Sequence, residues 1–240
     1  MTEMIRRYLR QKLASPGIVV ALGVIALVTA FRLAVTGGAE GLETGFVSLL
    51  LLAAASVSKD ASGGALQMIL ARPLTRTDYL FGRYLGILAA YASFLAACAL
   101  VAFALATVFL PMLGLERAPV SAPALLRGFG GGMLGAVLPA AILLFFSTFL
   151  PGYADVLAYF LLMIALPIPA VLGKALRRPW LERVSELAQQ NVLPEVRWDQ
   201  VLEGQNVLGA ATGRWVLAVT VFLVAAAVVF SRREFAYGQD

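Results

Sequence analysis

The chain has 240 residues, of which 60% are apolar and only 14% charged. A soluble domain carries roughly 25% charged and about 45–50% apolar residues and faces water with polar groups, so this composition excludes a soluble globule and points to a membrane protein. The formal charge of +5 comes from basic residues dispersed along membrane-flanking segments, which sets topology rather than marking a nucleic-acid surface.

There is no histidine, and Cys98 is the single cysteine. A histidine base, a histidine-ligated metal, a Ser-His protease, an internal disulfide and a thiolate cage are all excluded. Cys98 lies in an apolar run and reads as a small packed hydrophobe.

In residues 1–16, Met1, Met4, Ile5, Tyr8, Leu9 and Leu13 recur at helical spacing, with Arg6, Arg7 and Arg10 on the other face. This predicts an amphipathic helix on the inner leaflet, ended by Ser15-Pro16-Gly17. Its charges either fix topology alone or also border a cytoplasmic partner. A span needs about 20 mainly apolar residues. On that criterion the sequence predicts six, at 18–35, 46–57, 84–113, 125–150, 156–172 and 215–230, the second being the thinnest. A cleaved signal peptide ending near Val28-Thr29-Ala30 is disfavoured, because the apolar run continues past that site.

An even span count puts both termini on one side. Arg6, Arg7, Arg10 and Lys12, the tail's Arg232 and Arg233, and Lys59, Arg72, Arg76 and Arg83 make that side cytoplasmic. Lys174, Arg177, Arg178, Arg183 and Arg197 oppose this from the other side, but in a long loop, where the rule is weak. Residues 1–240 read as one helical membrane domain with three extramembrane pieces, 1–16, 58–83 and 174–213.

Residues 58–83 carry the strongest local pattern. Gly63-Gly64 breaks the chain, Leu66, Ile69 and Leu70 form a short apolar stripe, and Pro73 stops that helix. Thr75 or Thr77 can cap the next helix, which runs through Tyr79 and Arg83 into the third span. The product is a helix–proline–helix elbow continuous with two spans.

In Asp60, Gly64, Leu66, Arg72-Pro73, Arg76, Tyr79 and Gly82-Arg83 the chain resembles the ABC-2 type transporter permeases. There an acidic residue, a glycine and a leucine precede an apolar stripe and an Arg/Ser-Pro-x-x-Arg turn. Six spans, an amphipathic start and the Arg232-Arg233-Glu234-Phe235 tail also match; Ala65 departs from the usual Thr or Ser. The resemblance spans the chain by architecture and about twenty-five residues by motif. It implies an all-α membrane protein in the cytoplasmic membrane of a bacterium or archaeon. Such a permease pairs with a second copy or a homologous permease and with two ATP-binding subunits that hold ATP and magnesium. It also implies that the elbow, including Ile69 and Leu70, is a coupling helix seated in the ATPase, that short outer helices lie between spans five and six, and that transport is outward.

The residues agree in one respect: no Gly-x-x-x-x-Gly-Lys-Ser/Thr loop is present, so a nucleotide driving this chain would sit on another subunit. No cofactor is expected in this chain, which is not itself an enzyme. Gly128, Gly131, Gly132 and Gly135 form small-x-x-x-small pairs, for packing within the chain or for a dimer or gating seam. Pro139, Pro167 and Pro169 can bend spans four and five, and Asp155 is expected to cap span five. Beyond span five, Pro179 starts a helix with Trp180, Leu181, Val184, Leu187 and Ala188 on one face; Trp198 and Trp215 suit interfacial anchors. Sparse intramembrane polarity disfavours an ion-coupled carrier and suggests a lipidic or amphiphilic cargo. The alternative to transport is an ATPase-driven scaffold or transducer that changes a partner's conformation.

Overall fold

Inside a bilayer only a helix satisfies every backbone N–H and C=O within one segment, so long apolar runs fold as helices. The computed structural model describes residues 2–36, 46–58, 60, 75–109, 112, 122–202, 204 and 209–232, and every regular element among these described residues is helical. In chain order they are α1 (Thr2–Leu13), α2 (Pro16–Thr36), α3 (Phe46–Ala53), α4 (Arg76–Ala104), α5 (Ala122–Ser147), α6 (Ala154–Ala165), α7 (Ile168–Leu176), α8 (Pro179–Val192), α9 (Trp198–Leu202) and α10 (Ala210–Arg232). A π-type turn, Leu105–Phe109, extends α4.

Among the described residues, four stretches are long and apolar enough to cross a membrane: Arg76–Val108, Ala122–Ser147, Ala154–Leu176 and Ala210–Arg232. They make this a multi-pass membrane protein. Large apolar side chains stand exposed along them, Leu100 at 72% and Leu217 at 62%, as lipid-facing positions require. In α2 the apolar stretch Pro16–Arg32 is shorter. Of the segment expected as the second span, only Phe46–Ala53 is α-helical. Eight residues rise about 12 Å, against roughly 30 Å of hydrocarbon.

The boundaries have local causes. The third span starts at Arg76, ahead of the expected Tyr84, because Thr75 and Asp78 form a capping box. Thr75 Oγ1 accepts from the Asp78 N–H at 3.1 Å and Asp78 Oδ2 accepts from the Thr75 N–H at 3.3 Å. Pro139 sits within a continuous α5. Pro167 divides the fifth apolar stretch into α6 and α7, while Leu166 and Pro167 keep right-handed backbone angles, so the break is a bend in a continuing helix. Pro179 opens α8 at its first turn, as expected.

The backbone falls into two compact units, interleaved in sequence. The first comprises Met1–Ala53, Gly82–Ala140 and Trp198–Gln205. Here α1 packs on α2, and α2 packs on the π-type turn through Ala34, Leu105 and Ala106. Tyr84 in α4 donates its hydroxyl to the Val137 carbonyl of α5 at 3.0 Å.

The second unit comprises Ala54–Phe81, Ala141–Arg197 and Asn206–Asp240. Phe145 of α5 meets Phe222 of α10 at 5.8 Å between centroids and Phe149 edge-on at 5.2 Å. The α7 and α8 helices lie against each other at Gly173, where an added Cβ would sit 3.0 Å from the Glu182 backbone nitrogen. Ser185 donates to the Leu166 carbonyl at 2.7 Å.

Candidate functional site

The described residues around the elbow form three sets of anchors. On the approach, α3 gives way to a turn at Ala54–Val57 in which Ala55 takes the left-handed φ of 53°. Such a turn presents backbone N–H groups that need acceptors away from water. Asp155 Oδ2 accepts from the Ala55 N–H at 2.7 Å, and Asp155 Oδ1 from Val156 N–H at 2.8 Å. Ser147 Oγ accepts from the N–H groups of Val57 at 3.0 Å and Ser58 at 3.4 Å. Ser58 Oγ donates to the carbonyl of Gly152 at 3.1 Å, a residue whose φ of 57° suits glycine. Asp155 and Ser147 are fully buried.

The sequence expects Asp155 to cap its own helix. It serves the first turn of α6 through Val156, but its second oxygen leaves the helix to hold Ala55, one hundred residues away along the chain.

On the exit, the Tyr79 hydroxyl donates to Asp60 Oδ2 at 2.8 Å, and both side chains are buried. The Tyr79 ring stacks on Phe230 with centroids 5.6 Å apart and planes 17° from parallel. Arg76 Nη1 donates to the Ser231 carbonyl at 2.6 Å. That carbonyl belongs to the last turn of α10, where the helix has no further N–H to supply and cations are favoured. The exit of the elbow is thus pinned to the C-terminal turn of the last helix.

Within the first unit, Arg83 Nη1 donates to Gln11 Oε1 at 3.1 Å, and its guanidinium lies over the Tyr8 ring at 5.2 Å. The Lys12 ammonium lies 5.8 Å from the same ring. The Tyr8 hydroxyl donates to the carbonyl of Leu52. Tyr8 and Lys12 are buried, and Arg6 and Arg10 are exposed, so α1 divides into two faces.

Of the residues singled out in the elbow, Gly64, Leu66, Ile69, Leu70, Arg72 and Pro73 lie outside the described residues. Asp60, Tyr79 and Arg83 are buried on partners within the chain; Arg76 is exposed and holds α10. Each of these four is thus an anchor for the described residue beside it. Of the α5 glycines, Gly131 and Gly135 face Trp198 of α9, at 3.7 and 4.0 Å from where a Cβ would stand, and their neighbour Gly130 faces Leu202 at 3.2 Å. Gly128 and Gly132 lie half-buried on the same helix. Phe230, Ser231, Ser147 and Gly152 were not marked by sequence reasoning. Their partners are a ring, a guanidinium, a hydroxyl and N–H groups far along the chain, which leave no local spacing to read.

Among the described residues no group of three or more His, Cys, Asp or Glu side chains gathers as a metal site. No family model matches this chain, and no curated protein matches it at a significant level.

Proposed function

We propose that this chain is the transmembrane subunit of an ATP-driven transporter of the ABC-2 permease type. In this reading the six spans are 18–35, 46–57, 84–113, 125–150, 156–172 and 215–230. Both termini are cytoplasmic, in the inner membrane of a bacterium or archaeon. Two copies, or this chain and a sister permease, assemble with two ATP-binding subunits and export a lipidic or amphiphilic cargo. Residues 61–74 meet the ATPase.

The observation that best supports this reading is how the elbow's two ends are held. Asp60 and Tyr79, nineteen positions apart, share a buried hydrogen bond, and Arg76 grips the last turn of α10. A hydrogen bond in a low-dielectric setting is strong and well directed. A displacement of Asp60 or of the first turn of α4 is therefore passed to the end of α10. An inter-helix connection with only a topogenic role needs no such tether. The Arg72-Pro73 motif and the residues around it carry the resemblance, and the tether is what supports a mechanical role.

Purification of the chain from its own membranes in mild detergent tests the proposal. A near-stoichiometric partner with a phosphate-binding loop and ATPase activity is expected, and Leu66→Ala with Arg72→Ala is expected to release it from a folded chain. A chain that purifies alone, or keeps its partner in those variants, overturns the assignment. ATP-dependent accumulation of cargo in sealed vesicles separates transport from the scaffold alternative.

A further inference from the structure

We infer that the cleft between the bend of the fifth apolar stretch, α8 and the start of α10 is a binding site for a lipophilic monovalent cation. This open cleft has a volume of about 700 Å³, within the roughly 300–1,000 Å³ of small-molecule pockets. All its walls belong to the second unit.

The walls are built by the bend. Pro167 has no N–H to give the Met163 carbonyl, so the helix opens there. Ser185 holds the Leu166 carbonyl and sets α8 alongside. The floor that results is apolar, with Met163, Leu166 and Leu193 lining it. Two carboxylates, Glu186 and Glu195, stand on the rim, both exposed. Among the described lining residues the cationic group is Arg214, which donates to Gln190 Oε1 at 2.8 Å.

An apolar floor under two carboxylates and one guanidinium selects by charge as well as by greasiness. Among the described lining residues the formal charges sum to −1, which a monovalent cation neutralises. A phosphate-bearing headgroup would meet both carboxylates, and a neutral hydrocarbon would gain nothing from them. The ligand class is therefore a bulky organic cation with its charge set on an apolar body. The site needs neither ATP nor a partner subunit, so it stands or falls apart from the transporter assignment.

Two ions of equal size and opposite sign test it: tritiated tetraphenylphosphonium and tetraphenylborate, added to the full chain in phosphatidylcholine nanodiscs. Saturable binding of the phosphonium and none of the borate is expected beyond empty-disc controls. Glu186→Gln with Glu195→Gln, both at exposed positions, is expected to weaken phosphonium binding about tenfold. Leu193→Trp, which fills the floor, is expected to remove it. Equal affinity for the two ions, uptake no greater than in empty discs, or binding unchanged in either variant overturns the inference.

Discussion

The Tyr79 hydroxyl reaches Asp60 across 2.8 Å while its ring lies stacked on Phe230, so one side chain ties the start of the elbow to the C-terminal end of the last helix. The two contacts use different parts of the residue. Tyr79→Phe keeps the stack and removes the donor, leaving a buried carboxyl group with one fewer partner. A loss of about 1–2 kcal/mol is expected in detergent unfolding. Asp60→Asn combined with Tyr79→Phe should cost less than the sum of the two single changes, since they break the same bond. Under the proposed function, the chain reconstituted with its ATPase partner is expected to retain ATPase activity and lose transport on Tyr79→Phe, measured side by side in proteoliposomes. Equal losses of both would show that the bond holds the fold and carries no stroke.

Asp155 makes a second, independent test. Its carboxyl group is fully buried and satisfies two backbone N–H groups, those of Ala55 and Val156. Asp155→Ala strands both, at an expected cost of about 2–3 kcal/mol, while Asp155→Asn keeps one acceptor oxygen and should fall between. Ala55 holds a φ of 53°, which costs an L-residue roughly 1 kcal/mol that glycine avoids. Ala55→Gly should therefore recover about 1 kcal/mol in the Asp155→Ala background. Thermal unfolding of these three variants and the parent chain in one detergent checks the order.

The contrast between these anchors and the rest of the chain shows where sequence carries structure. Helices were legible wherever composition alone decides, because an apolar run in lipid has no other way to satisfy its backbone. The Thr75–Asp78 box was half legible: the sequence offered Thr75 or Thr77 as the cap, and the reciprocal bonds with Asp78 single out Thr75. Pro179 marked the start of α8 through its missing N–H. The α5 glycines signalled a close approach, but not that Trp198 and Leu202 would be what approaches. The bond between Asp155 and Ala55, unlike the capping of Val156, was unreadable for a physical reason. The partner is a main-chain N–H, which every residue but proline has, on an alanine whose left-handed angle is imposed from outside. The α3 helix ends for the same reason: the turn after Ala53 is held by Ser147 and Asp155, not by a glycine or proline of its own.

Tyr8 allows the anchoring of the N-terminal helix to be divided. Its ring is nearly enclosed, with Arg83 over it at 5.2 Å and Gly86 close enough that an added Cβ would lie 3.2 Å from the ring. Tyr8→Phe loses only the hydroxyl bond to Leu52 and should cost about 1 kcal/mol. Tyr8→Leu also removes the π face under Arg83 and Lys12, and about 2–4 kcal/mol is expected in total. Gly86→Ala should resemble Tyr8→Leu more than Tyr8→Phe, because it displaces the ring while sparing its chemistry. Unfolding midpoints of the three variants, with protease cleavage after Arg10 as a local probe, separate these outcomes.

Gly173 sets how closely α7 and α8 can lie. A Cβ there would stand 2.7 Å from Glu182 Cγ, which can swing away, but also 3.0 Å from Glu182 N and 3.1 Å from the Arg178 carbonyl, which cannot. Gly173→Ala must therefore move backbone, and overpacking of this kind costs about 1–3 kcal/mol. The shift also carries Ser185 away from the Leu166 carbonyl, now 2.7 Å distant. Once Gly173→Ala has stretched that bond, removing it with Ser185→Ala should add little, whereas Ser185→Ala alone should cost about 1 kcal/mol. Unfolding energies of the two single variants and the double variant test the coupling. Full additivity would mean that the glycine contact and the Ser185 bond hold α8 independently.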